Sequence, residues 1–307
     1  METPLIFWIL FNGFVLLMLA LDLGVFHRKS HHVSVKEAII WTFIWISLAM
    51  IFNLIIYYWQ GKQQALEFFT GYLIEKALSI DNIFVFIMIF SYFSIPSIYQ
   101  HKILFWGILG ALVMRIIFIF AGVTLIEKFH FTIYIFGALL IYTGYKMYSH
   151  SSAKIEPEKN PIVKIFRKIF PVSQNFEGGK FFTRVDGKRA ATPLFLVLIL
   201  VETTDLIFAV DSIPAILSIT QDQFIVYTSN VFAILGLRSL YFALAGVVHK
   251  FWLLNYGLSI VLIFVGIKMI LSDFYKIPIE ISLLFIAGII IGSILLSLKI
   301  EKPKTAI

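Results

Sequence analysis

Glu75-Lys76-Ala77-Leu78-Ser79-Ile80-Asp81-Asn82-Ile83 reads as an acid, five residues, an aspartate, a small polar residue and an isoleucine. Asp205-Leu206-Ile207-Phe208-Ala209-Val210-Asp211-Ser212-Ile213 reads the same way. Further landmarks follow in the same order in both halves. Arg115 answers to Arg238, Ala121-Gly122 to Ala245-Gly246, and Gly144-Tyr145-Lys146-Met147 to Gly266-Ile267-Lys268-Met269. One such match is within reach of chance, whereas four in order point to a duplicated unit.

The sequence around these motifs is apolar on the scale of a membrane span. A bilayer core of ~30 Å requires about 20 apolar helical residues. Nine stretches meet this: roughly 5–26, 37–59, 66–94, 102–126, 129–148, 191–219, 223–248, 252–271 and 278–298. Each copy of the repeat then holds three spans, in 66–148 and in 191–271. An odd number of spans makes the second copy enter the membrane from the opposite side. The expected fold is therefore all-α: a polytopic membrane protein of about nine transmembrane helices in a single transmembrane domain. Spans three to five and six to eight form two inverted three-helix repeats. Spans one, two and nine are additions. Inverted repeats are the architecture of many secondary transporters, whose substrate site lies near the midplane where the copies meet. The first stretch is not expected to be a cleaved signal, because no basic residue precedes it and it is too long for a signal h-region.

Composition agrees. Only 14% of the chain is charged, against roughly 25% in soluble domains, which excludes a soluble globular enzyme and a disordered chain. The chain has no cysteine, so disulfides, thiolate-held metals and thiol catalysis are excluded. The formal net charge of +7 is topological. With the N-terminus outside, 18 Lys and Arg fall in cytoplasmic segments and three in outer ones, as the positive-inside rule requires. The expected location is the inner (plasma) membrane, with the C-terminus cytoplasmic. Because the cations are spread over five cytoplasmic segments, nucleic acid is not an expected partner.

Five carboxylates fall within spans: Glu75, Asp81, Glu202, Asp205 and Asp211. On insertion scales five uncompensated acids would cost on the order of 10–15 kcal/mol, so they are expected to face the bundle interior and to have partners. Lys76, Arg115 and Arg238 offer three counter-charges. The two remaining negatives match one divalent cation or two protons. At 100° per residue, Glu75, Ser79 and Asn82 share one stripe, and Asp205 and Ser212 form the matching stripe with Ala209 between them. Asp81 lies about 120° around from Glu75 and ~9 Å along the axis. Pro214 cannot donate to the carbonyl of Val210, so a helix break is expected near Asp211, where a freed carbonyl can serve as a cation ligand. Carboxylate, amide, hydroxyl and carbonyl oxygens suit Mg²⁺, Ca²⁺ or Mn²⁺. The candidate metal-handling set is thus Glu75, Asp81, Asn82, Glu202, Asp205, Asp211 and Ser212. The bland alternative is a set of structural ion pairs, and for Arg115 and Arg238 taken singly that counter-ion role is the favoured one. Asn53 and Asn230 read as helix-to-helix hydrogen bonds. Asp22 reads as an interfacial partner of Arg28 and Lys29.

Residues 150–190 form the one long connection, expected to be cytoplasmic and basic. Asn160-Pro161 can start a helix, with Ile162, Ile165, Phe166 and Ile169 on one face and Lys164, Arg167 and Lys168 elsewhere, a pattern suited to the lipid interface. Asp186-Gly187 between Phe181–Val185 and Lys188-Arg189 suits a hairpin turn.

At the two acidic motifs, extended to Glu202-Thr203-Thr204-Asp205 and Ser212-Ile213-Pro214-Ala215, the chain resembles the TerC family of integral membrane proteins. Leu21-Asp22-Leu23, Val25-Phe26-His27-Arg28-Lys29 and Ala191-Thr192-Pro193-Leu194 support the likeness, which covers nearly the whole chain. The family is similar to the wider LysE-like transporters and takes its name from tellurium-resistance clusters. The resemblance implies manganese export, with the five matching carboxylates as the Mn²⁺ path. A tellurite path fits poorly, since tellurite is an anion and the motifs are acidic. The expected function is a secondary transporter exporting Mn²⁺ or a related hard divalent cation, proton-coupled, with no permanently bound cofactor. Its partners would be the metal ion, protons and the lipid bilayer, and its oligomeric state is left open. An intramembrane aspartyl protease is disfavoured because neither Asp81 nor Asp211 has a Gly-x-Gly-Asp context. The remaining alternative is a non-transporting membrane partner in a tellurite or metal stress complex or in membrane biogenesis, docking through the basic connection.

Overall fold

A computed structural model describes residues 4–21, 34–149, 164, 166, 170–173, 176–185, 188–245, 250–275 and 277–300. The helices are α1 (Leu5–Leu21), α2 (Val35–Gln60), α3 (Lys62–Tyr92), α4 (Ser97–Lys128), α5 (Thr132–Ser149), α6 (Pro193–Leu217), α7 (Gln223–Leu235), α8 (Leu237–Leu244), α9 (Leu254–Leu271) and α10 (Ile279–Lys299). Helix occupies all nine expected stretches, but the seventh is divided at Gly236. Among the described residues six are long and apolar enough to cross a membrane: α2, α4, α6, α7 with α8, α9 and α10. That is fewer than the nine expected. α1 is 17 residues long. α3 has 31 residues but carries Lys62, Glu67, Glu75, Lys76 and Asp81, which dilute its hydropathy. α5 is 18 residues long and rich in Tyr, Thr and Gly.

Local chemistry sets several helix ends. Ser34 accepts the Glu37 amide at the start of α2, the usual N-cap arrangement. Asp222 accepts the amides of Phe224 and Ile225 at the start of α7, and Pro193 opens α6, where its missing N–H costs nothing. Gly61, at φ 103°, turns the chain from α2 directly into α3. α6 keeps helical backbone across Pro214, which lies in its last turn. The break expected near Asp211 is therefore not seen, although Pro214 cannot donate to the Val210 carbonyl.

Burial separates an inner from an outer layer. In the α7–α8 segment 94% of the apolar window is buried, against 17% in α2 and 22% in α10. Leu5, Leu16, Phe43, Ile117 and Leu284 instead point outward. An apolar exterior of this kind suits lipid and would be a liability in water.

Around α7, α3 packs against α6 and α7, and α4 packs against α6. α5 lies along α9 in the most extensive pairing of the fold. Under the duplication expected from the sequence, exchanging 66–148 with 191–271 would turn the α3–α7 contact into the α6–α4 contact and the α5–α9 contact into itself. The α5–α9 seam keeps this symmetry at the level of single atoms. A Cβ on Gly266 would meet the Gly137 carbonyl oxygen at 2.6 Å and also the side chain and amide of Ile141. A Cβ on Gly144 would meet the Ser259 carbonyl oxygen at 2.8 Å and also the side chain and amide of Ile263. Gly144 and Gly266 are the glycines of the matching Gly-x-Lys-Met landmarks. The register is antiparallel, because Gly137 faces Gly266 while Gly144 faces Ser259.

In the long connection, β1 (Phe182–Val185) pairs antiparallel with β2 (Lys188–Ala191). The register joins Val185 to Lys188, which leaves a two-residue turn at the expected place, although Asp186 and Gly187 themselves lie outside the described residues. Lys164 and Phe166 are helical. The rest of the expected interfacial helix lies outside the described residues, as do Asp22, Arg28, Lys29 and Gly246. Lys102 of α4 donates to the Gly179 carbonyl at 2.8 Å and sits over the Phe181 ring. Phe182 packs on Phe195 of α6 with ring centroids 4.4 Å apart. The hairpin is thereby held against the helix ends.

Candidate functional site

The two stripes read from the sequence face the interior. Glu75, Ser79 and Asn82 are each at most 2% exposed, and Asp205, Ala209 and Ser212 at most 4%. They meet at Arg115 of α4. Its Nη1 lies 2.7 Å from Glu75 Oε1 and donates to Ser212 Oγ at 2.8 Å, while Nη2 lies 3.7 Å from Asp205 Oδ1. Asn230 of α7 donates to the second Glu75 oxygen at 3.1 Å. One guanidinium therefore joins Glu75 of the first acidic motif to Asp205 of the second, and the centre draws on α3, α4, α6 and α7.

Charge-assisted hydrogen bonds of this length are strong in a dry interior. Desolvation offsets much of that gain, so the pair is held mainly by the cost of breaking it. The centre is not fully satisfied. Among the described residues, Ser79 Oγ, Asn82 Oδ1, Asp205 Oδ2 and Asn230 Oδ1 are buried oxygens without a hydrogen-bond donor. Buried polar atoms are normally paired, so four unpartnered oxygens on three interior helices suit a donor or cation that comes and goes. Beside them Asp205 and Arg238 line a cavity of about 10 Å³ walled by Phe86, Gly107, Ala111 and Ile234, room for about one water.

The other expected residues are placed separately. Glu202 is half-buried against Gly110, where any Cβ would collide with its carboxylate. It lies within electrostatic reach of Asp205. Asp211 is half-buried on a different face of α6, as its angular offset from Asp205 requires. It accepts from Thr143 Oγ1 of α5 at 2.9 Å, with Lys146 nearby. The side chain of Asp81 lies outside the described residues. Lys76 extends to the Ala233 carbonyl at 3.2 Å, beside Gly236. Lys268 is buried within reach of Glu67. Among the described residues no three acidic or histidine side chains converge as a ready metal cluster.

Three features were not drawn from the sequence. The first is the interruption at Gly236 between α7 and α8, where Lys76 meets the end of α7. A glycine in an apolar run next to Arg238 was the available signal. The second is Thr143, placed one turn before Lys146. The third is Gly110, whose missing side chain makes room for Glu202.

The fold and centre define a multi-pass, all-α integral membrane protein with a charged interior. The chain belongs to the Integral membrane protein TerC family, whose family model matches residues 60–305. It is 53% identical over 291 residues to "Uncharacterized membrane protein STKORF319" of Myxococcus xanthus, covering 95% of this chain and 91% of the relative. It is 46% identical over 304 residues to "Putative membrane-bound redox modulator Alx" of Escherichia coli (strain K12), covering 96% and 94%. A Rickettsia bellii relative, "Uncharacterized membrane protein", is 44% identical over 276 residues, covering 90% and 91%. No solved structure matches the chain.

Proposed function

We propose that the chain is a secondary transporter that exports Mn²⁺, or a related hard divalent cation, from the cytoplasm in exchange for protons. The observation that carries this reading is the shared guanidinium. Repeat-equivalent acids Glu75 and Asp205 approach one cation from opposite halves, as expected where inverted repeats meet. In the proposed arrangement α1, α3 and α5 also cross the bilayer, with the N-terminus outside and the C-terminus in the cytoplasm of a cell with an inner membrane.

The static geometry is the state with Arg115 in place. Its charge partly neutralises Glu75 and Asp205, so the centre can stay dry without cargo. When the guanidinium withdraws, Glu75, Asp205, Ser212 and Asn230 present oxygens, and Ser79 and Asn82 add more from the same stripe. That donor set is hard and anionic and suits Mn²⁺ over softer ions. Glu202 and Asp211 flank the centre along α6 and serve as proton-accepting or relay carboxylates on the way in or out. Lys76, packed at the break before α8, and Arg238, on the cavity wall, act as fixed counter-charges. No enzymatic step is part of this reading.

With no cysteine in the chain, the redox effect named for the Alx relatives would have to reach this protein by a route other than its own thiols. Movement of a redox-active metal is such a route. Cells expressing Glu75→Gln or Asp205→Asn in place of the native chain are expected to accumulate manganese and lose manganese tolerance. Unchanged manganese content and tolerance in both variants would remove the transport reading and favour the docking role of the 150–190 connection.

A further inference from the structure

We infer that the hairpin of the long connection carries a binding site for the phosphate headgroup of an anionic phospholipid. β1 and β2 place Arg184 directly opposite Arg189. Like charges in that relation destabilise a strand pair, so the pair implies a counter-anion. Among the described residues neither arginine has a carboxylate partner, and Lys180 adds a third cation to the same open cleft of about 520 Å³. That volume falls in the range of small-molecule sites.

The aromatic rim of the cleft points to the source of the anion. Phe182 lies two residues from Arg184 on the same strand face, is 53% exposed, and packs on Phe195 in the first turn of α6. Phe170, 44% exposed, also lines the cleft. Cations with exposed aromatics beside the first turn of a membrane-crossing helix form the pattern found at the headgroup level. A soluble phosphate would need the cations but not the apolar rim. The cleft shares no lining residue with the Glu75–Arg115–Asp205 centre and stands independently of the transport reading.

The test uses the purified full chain in nanodiscs and in delipidated form, with native mass spectrometry of retained lipid. The native chain is expected to retain one phosphatidylglycerol in preference to phosphatidylcholine by about tenfold. Arg184→Gln with Arg189→Gln is expected to lose that preference, and Arg184→Lys with Arg189→Lys to keep most of it. The second variant controls for folding of the hairpin. Equal retention of the two lipids by the native chain, or a preference unchanged in the glutamine variant, would overturn the proposal. Inorganic phosphate binding to the delipidated chain in an arginine-dependent way, with no lipid preference, would overturn the lipid assignment by showing a free-anion site.

Discussion

The centre shared by α3, α4, α6 and α7 and the seam between α5 and α9 are made from opposite materials. At the centre, two acids, a guanidinium, a hydroxyl and an amide are packed with oxygens to spare. At the seam, glycines let backbone approach backbone, with Gly137 and Gly266 facing each other. A polar network in a dry interior has alternative satisfied arrangements, because each unpartnered oxygen is a place for a donor or cation to go. A glycine seam has one close-packed arrangement and little else. In the proposed transport cycle the difference would give motion to the centre and the pivot to the seam.

The largest effect is expected at the centre. Arg115→Ala leaves Glu75 and Asp205 buried without their shared partner and should cost about 3–5 kcal/mol of stability, read as a loss of unfolding temperature in detergent. Adding Glu75→Gln and Asp205→Asn to Arg115→Met should recover most of that loss, since an apolar or neutral set replaces a buried ion cluster at little cost. A triple variant as unstable as Arg115→Ala would show that the network is not what holds these helices.

The seam gives the next effect. Gly266→Val sets a side chain against the Gly137 carbonyl and should cost about 1–3 kcal/mol. In the fraction that folds, metal flux should fall although every charged residue is present. Native flux in a well-folded Gly266→Val protein would separate the seam from any pivoting role. The smallest effect belongs to Thr143→Val, which removes the described hydrogen bond to Asp211 and should cost about 1 kcal/mol. It should alter the proton dependence of flux more than metal affinity, because Asp211 stands apart from the guanidinium.

Much of this contrast was legible in the sequence. Helix is found among the described residues in each stretch that hydropathy marked, and the 100° periodicity put Glu75, Ser79 and Asn82 on one buried face. The Asp186-Gly187 dipeptide marked the hairpin. The span count was less secure, because charges that make α3 interesting also lower its hydropathy. Arg115 was legible as a counter-ion, but its position between acids of both halves depends on how α4 packs against α6, which no local pattern encodes. The division at Gly236 escaped because a lone glycine in an apolar run looks like tolerated helix. Pro214 drew attention instead, although α6 stays helical across it.

The most direct test is divalent-ion flux in proteoliposomes that contain the full chain and an internal pH probe. The native protein is expected to move Mn²⁺ with a counter-flow of protons, and Glu75→Gln and Asp205→Asn, compared as the fraction that reconstitutes folded, to abolish both. Proton-independent flux, or flux that persists when both acids are neutral, would contradict a carboxylate centre shared between the two halves.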